Sequence, residues 1–133
     1  MDEIIFSTTQ KNEIIDITEE VSDIVKKSKI NEGICLVYTP HATAAIILNE
    51  NWDESVQEDF LQMLREIAPE GRWKHDKQDG NGASHVKASI VGPSETMIMK
   101  DGRLVLGQWQ NIFFCEFDGP RQERKVFVQI IKK

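Results

Sequence analysis

Apolar and polar positions along the chain follow two different periods. Two segments repeat at the helical spacing. In the first, Val21, Ile24 and Val25 share one face, Thr18 stands where an N-cap belongs, and Glu19 and Glu20 follow it. Lys26, Lys27 and Lys29 fill the last turn, the sign the helix dipole favours there, and Asn31-Glu32-Gly33 breaks the segment. In the second, Asn51 and Glu54 have the spacing of a capping box. Trp52, Val56, Phe60, Leu64 and Ile67 form its stripe, and Pro69 and Gly71 end it.

Most of the remaining apolar runs are short and rich in β-branched and aromatic residues, which predicts strands over 4–8, 13–17, 33–39, 44–49, 85–91, 95–99, 104–106, 111–117 and 125–131. Asp101-Gly102 between two such runs marks a hairpin, because a tight primed turn needs positive φ. Asp118-Gly119-Pro120 marks another turn. The connections are too short for crossover helices. The expected class is therefore α+β: a mainly antiparallel, β-sandwich-like domain carrying two helices. Residues 70–84 stand apart, with Gly71, Gly80 and Gly82 and little that is apolar besides Trp73. A loop of that length inside a small domain is either functional or disordered.

Composition narrows the class further. The chain has 133 residues, which fits one domain over 1–133 with a core that needs no metal or disulfide. No apolar run approaches the roughly 18–20 residues of a membrane span. Met1-Asp2-Glu3-Ile4-Ile5-Phe6 has acid where a secretory signal carries base. The net charge of −6 argues against nucleic acid as the main partner, since phosphate neutralisation needs a concentrated basic face. Cys35 and Cys115 sit in apolar stretches without a CxxC partner and read as core residues. These features make a cytoplasmic location the expectation.

The unusual polar residues are few. His41, His75 and His85 are the only histidines, and each falls at a strand end or in the long loop, where a rigid scaffold presents ligand-handling groups. Three dispersed histidines can hold zinc or another divalent ion with one position left open, though no local ligand pairing such as HExxH is present. Spacing alone favours three unrelated surface or turn histidines. Glu50, between Asn49 and the helix-capping Asn51, reads as a general base, a metal ligand or a solvated turn carboxylate. Lys87 and Arg121 are candidate anion binders. The Gly107-Gln108-Trp109-Gln110 run offers a stacking face with amides for a planar ligand, or a tryptophan closing the core. The 70–84 segment matches neither an EF-hand nor a phosphate loop.

The order of these motifs is more telling than any one of them. Thr39-Pro40-His41-Ala42-Thr43-Ala44-Ala45, Leu48-Asn49-Glu50 and Ser84-His85-Val86-Lys87-Ala88-Ser89 form its first half. Gly92-Pro93-Ser94, the 102–110 block ending in Trp109-Gln110, and Glu116-Phe117-Asp118-Gly119-Pro120-Arg121 complete it. Together they resemble the YjbQ family, also described as secondary thiamine-phosphate synthase-type proteins. The resemblance implies a homotrimer of sandwich-like domains with a pocket near the subunit interfaces. It implies metal ligation by His41, His75 and His85, with zinc the first candidate, and places Asn49, Glu50, Asn81, Lys87, Trp109, Gln110 and Arg121 at the family's other motif positions. Of these, Glu50, Lys87 and Arg121 are the expected catalytic groups, and Asn49, Asn81, Trp109 and Gln110 the expected ligand contacts. The implied reaction joins a thiazole phosphate to an aminopyrimidine methyl pyrophosphate. Hydrolysis of a small phosphorylated metabolite, with Glu50 as base, and non-catalytic binding of a metal or anion are the alternatives. Two positions depart from the family: Gln108 replaces a small Thr, and Met97-Ile98-Met99 lacks a Pro common in that strand.

Overall fold

Alternation of inward and outward side chains sorts the strands into two antiparallel sheets, seen in a computed structural model covering residues 1–133. The first sheet has the order β1-β8-β3-β5-β6, formed by Asp2–Phe6, Arg124–Lys132, Gly33–Tyr38, Ser94–Lys100 and Arg103–Leu104. The second has the order β2-β7-β4, formed by Glu13–Asp16, Asn111–Glu116 and Ala44–Asn49. Cys35, Val37, Met97, Met99, Val126 and Val128 of the larger sheet meet Ala44, Ile46, Ile112 and Phe114 of the smaller one. Helix α1 (Thr18–Ser28) closes this core with Val21 and Val25. The α+β, sandwich-like expectation holds.

The smaller sheet is buried on its other face too. There Ala45, Cys115 and Phe117 pack against Leu64 of α2 (Glu54–Ile67) and Ala88 of α4 (Gly82–Val91). Phe60, Leu61 and Val91 complete that layer. Both cysteines lie in these cores as free thiols. Burial raises the Cys35 pKa to about 11 and lifts that of Cys115 as well, so both stay protonated.

The structure has four helices where the sequence pattern predicts two. Residues 85–91 are not a strand but the body of α4. Gly82, Ala83, Ser84, Lys87 and Ala88 are buried, a spacing that fits one helical face, and these mostly small residues let the helix lie close on the sheet. Val86, Ile90 and Val91 supply the β propensity that tertiary packing overrides. The 70–84 segment is ordered and contains the single turn α3 (Asp76–Asp79). The Asp76 carboxylate accepts from the amides of Trp73 (2.9 Å) and Gly82 (2.7 Å), and these bonds hold its pKa low. A Cβ at residue 82 would collide with the Trp73 side chain, so the segment closes onto α4 only with glycine there.

Three smaller differences concern element ends. Helix α2 is capped by Asp53, whose carboxylate accepts from the Ser55 amide at 2.9 Å, so Asn51 and Trp52 lie before the helix rather than in it. Thr18 opens α1 without capping it. Its hydroxyl donates to Asp16 Oδ1 (2.6 Å) and accepts from the Ile112 amide (2.8 Å). Strand β6 is only Arg103–Leu104, but the hairpin forms as expected, with φ of 52° at Asp101 and 73° at Gly102.

Candidate functional site

A buried polar corner forms where β7 ends against the N-terminal turn of α4. Glu116, with no solvent exposure, accepts from Arg124 through Nε (2.7 Å) and Nη2 (2.5 Å). Thr8 Oγ1 (2.8 Å) and the Asp118 amide (2.9 Å) also donate to Glu116, and Arg124 Nη2 donates to Thr43 Oγ1 (2.9 Å). Burial pushes the Glu116 pKa up, but Arg124 and the other donors outweigh it and hold the group ionised. The motif ending in Asp118-Gly119-Pro120 thus starts from a neutralised ion pair. A Cβ on Gly119 would strike the Gln10 carbonyl oxygen, so the chain packs against the segment between β1 and β2 here only with glycine.

Asp118 is the centre of the neighbouring cluster. Its Oδ1 accepts from Lys11 Nζ at 2.6 Å, and its Oδ2 from Asn81 Nδ2 at 2.8 Å and Arg121 Nη2 at 2.9 Å. Burial alone would raise its pKa, yet these three donors lower it. Lys87, only 1% exposed, projects from α4 nearby, with Nζ 3.4 Å from Asn12 Oδ1 and 3.8 Å from Glu70 Oε1. Burial pulls its pKa down, opposed by Glu70 and reinforced by Arg65 and Lys11. Lys11, Lys87 and Arg121 therefore concentrate positive charge in a chain of net charge −6. Asn81 Oδ1 is buried with no hydrogen-bond partner.

The histidines divide. His75 and His85 meet edge to face with ring centroids 4.6 Å apart, and His85 sits on α4 rather than at a strand start. His41 lies near Arg124, Glu116 and Arg121, and its Nε2 accepts from the Lys125 amide at 2.9 Å. Burial lowers its pKa, as do the neighbouring arginines, so the ring is neutral with its proton on Nδ1. In that state neither ring nitrogen has a free lone pair. No group of three metal-ligating side chains forms within the chain. A three-histidine ion therefore does not fit a single chain.

The other expected site residues lie elsewhere. Ala44 pairs with Glu116 at one end of the smaller sheet, and Asn49 with Asn111 at the other. The five residue steps between them span about 17 Å of strand. Asn49, Glu50, Trp109 and Gln110 thus stand at the far end from the Asp118 cluster. There Gln110 accepts from the Gly107 amide (2.8 Å) and Asn49 from the Glu50 amide (2.8 Å), both closing turns. Trp109 does not plug the core; it is 52% exposed.

The comparisons fit this geometry. The family model described as UPF0047 protein YjbQ-like matches residues 2–133. UPF0047 protein YugU of Bacillus subtilis is 47% identical over 117 residues, covering 86% of each chain. UPF0047 protein MJ1081 of Methanocaldococcus jannaschii is 44% identical over 124 residues, 93% of this chain and 88% of that one. The chain belongs to the YjbQ family. A YbjQ-like protein of unknown function from Sulfolobus solfataricus has the same fold, with a TM-score of 0.96 at 42% identity over 99% of this chain and 96% of that one. A YjbQ/UPF0047 protein from Clostridium acetobutylicum gives 0.93 at 44% identity, over 98% of this chain and all of its own.

Within this YjbQ-family chain, the corner contains polar residues that sequence patterning did not single out: Thr8, Lys11, Thr43, Glu116, Asp118 and Arg124. Thr43, Glu116 and Asp118 were visible only as members of motifs. Lys11 carries no local signal, because the turn at 118–121 brings it in from more than a hundred residues away.

Proposed function

We propose that this chain is a phosphate-handling enzyme resembling the secondary thiamine-phosphate synthases, working as a cytoplasmic homotrimer. The observation that supports it best is the concentration of Lys11, Lys87 and Arg121 around Asp118 in an otherwise acidic molecule. In the reaction a thiazole ring nitrogen attacks the methylene of the aminopyrimidine pyrophosphate. A carbon–nitrogen bond forms as the carbon–oxygen bond breaks, and pyrophosphate leaves with the electron pair. Lys87 and Arg121 supply positive charge where the leaving group gains negative charge. Asp118 holds Arg121 in position and keeps Lys11 beside it.

A divalent ion, zinc first, would supply further charge stabilisation. His75 and His85 are the pair able to bind it, provided that a third donor comes from outside the three-histidine arrangement within one chain. The buried, partnerless Asn81 Oδ1 lies one helical turn before His85, and Asp79 Oδ2 lies 3.6 Å from His75 Nε2. Hydrolysis with Glu50 as base receives no support within one chain, since Glu50 lies at the opposite sheet end.

The decisive assay is formation of thiamine phosphate by purified, metal-supplemented protein. Wild type is expected to outpace His85→Ala at least tenfold, and Lys87→Met is expected to weaken pyrophosphate binding. Equal rates for wild type and His85→Ala would end this reading. Pyrophosphate binding without turnover would favour a non-catalytic anion-binding protein instead.

A further inference from the structure

The far end of the smaller sheet is built as a site of a different kind. Trp52, 83% exposed, and Trp109 meet edge to face, with centroids 6.3 Å apart and planes at 61°. Together with Asn51, Gln108 and Asn111 they line a cleft of about 230 Å³. Two exposed tryptophans at one place leave large apolar faces in water. They are also not held by chance. Asp16 Oδ2 accepts from Asn51 Nδ2 at 2.6 Å and from Asn111 Nδ2 at 3.0 Å, while its Oδ1 accepts from Thr18. Asn51 Oδ1 in turn accepts from Gln57 at 2.8 Å. One carboxylate thus ties together the two loops that carry the rings, so the corner between them exists before any ligand arrives.

We propose that this cleft is a binding subsite for a flat nitrogen heterocycle, neutral or positively charged. The ring would lie on the Trp109 face with Trp52 as side wall, and the Gln108 and Asn111 amides would meet its hydrogen-bonding edge. Charge selects the ligand. No lysine or arginine lines the cleft, and the carboxylates flanking it in sequence are Glu50 and Asp53, so a phosphate meets no cation here. An electron-rich indole face beside acidic residues favours a cationic ring over an anionic one. The volume suits a single ring with small substituents rather than a dinucleotide. This subsite stands apart from the Asp118 cluster and does not rest on the phosphate reading.

The test follows the three indole Nε1–H resonances of the ¹⁵N-labelled full chain during titration with 1-methylnicotinamide, nicotinamide and methyl glucoside. Trp73 is the internal control, because its indole donates to the Pro69 carbonyl at 2.6 Å, away from the cleft. The expected result is saturable movement of the Trp52 and Trp109 signals with the heterocycles and none at Trp73. Trp109→Ala should raise Kd at least tenfold, and Trp52→Leu should raise it as well. Both side chains are exposed, and an unmoved Trp73 signal verifies that each variant is folded. Four outcomes overturn the proposal: no saturable shift, tighter binding of the glucoside, an unchanged Kd in Trp109→Ala, or Trp52 and Trp109 signals that track protein concentration without ligand. The last would make this face a contact between copies of the chain.

Discussion

Arg124 brings a full charge almost wholly into the interior, with 5% of the residue exposed. Its partner Glu116 is fully enclosed, and Thr8, Thr43 and the Asp118 amide add the hydrogen bonds that the bidentate bridge leaves to be made. Removing one partner is then far costlier than removing both, since a lone buried charge remains. Arg124→Met is expected to destabilise the fold by about 3–5 kcal/mol at pH 7. The sign with pH follows from Glu116. In the wild type its folded pKa lies below the ordinary value of 4.5, so it contributes stability above that pH that is lost as pH falls through the folded value. In the variant the same carboxylate is buried without a counter-ion, its folded pKa rises above the unfolded one, and the protein is penalised as pH rises. The deficit should therefore be larger at pH 7 than at pH 4 in urea-unfolding curves. An equal deficit at both would mean that Arg124 acts through packing alone. None of this pairing was legible in the sequence. Glu116 sits between Cys115 and Phe117, and Arg124 between Glu123 and Lys125, so nothing local joins the two, and only the fold shows that both point into one corner.

At the scale of elements, the pattern was most readable where β-branched and aromatic residues run together. The runs 33–39 and 111–117 predict β3 and β7 nearly to their ends, and the lysines of the last turn mark the end of α1. It failed at α4, where propensity and periodicity disagree. Val86, Ile90 and Val91 suggest a strand, while the buried set Ala83, Ser84, Lys87 and Ala88 follows a helical face that small residues make hard to see as hydrophobic. The two readings predict different mutational profiles. A strand with Ala88 inward would bury Ile90 as well, whereas the helix leaves Ile90 exposed at 55%. Ile90→Lys is expected to change stability by no more than about 0.5 kcal/mol. Ala88→Leu, pressing α4 off Phe117 and Cys115, should cost about 1–3 kcal/mol. The same urea midpoints, measured side by side, check both numbers, and a large loss at Ile90 would contradict the helix. Within one chain the three histidines are not gathered, for a related reason: placing His85 on a helix joins it to His75 across the α3 turn, while His41 stays near Arg124.

At the scale of the whole molecule, the two sheets are treated unequally. The smaller is covered on both faces, by the core and by α2 with α4. The larger has its inner face in the core, but outward positions of β1, β3, β5 and β8 carry Ile5, Ile34, Tyr38, Ile98 and Ile131, all exposed within one chain. These residues come from adjacent strands and form one apolar face rather than scattered points. Ile34 pairs across the sheet with both Ile98 and Ile131, so three isoleucines lie side by side in water. Covering such a face removes apolar area worth about 25 cal/mol per Å². In a closed ring of three, each copy would set this face against a different surface of the next, and every copy would be satisfied equally. The homotrimer proposed above therefore makes a specific prediction here. Light scattering on the wild type should give three times the chain mass of 15.2 kDa. Replacing Ile98 and Ile131 together with Lys should shift the species toward one chain mass, because two ammonium groups per chain buried at the contact desolvate badly. Their exposure in the single chain means that the fold itself should survive, which an unchanged far-ultraviolet circular dichroism spectrum would verify. A wild type that runs at one chain mass across the concentration range would remove the trimer. A trimer untouched by the double variant would move its interface off the larger sheet, and the Trp52–Trp109 end would become the next surface to test.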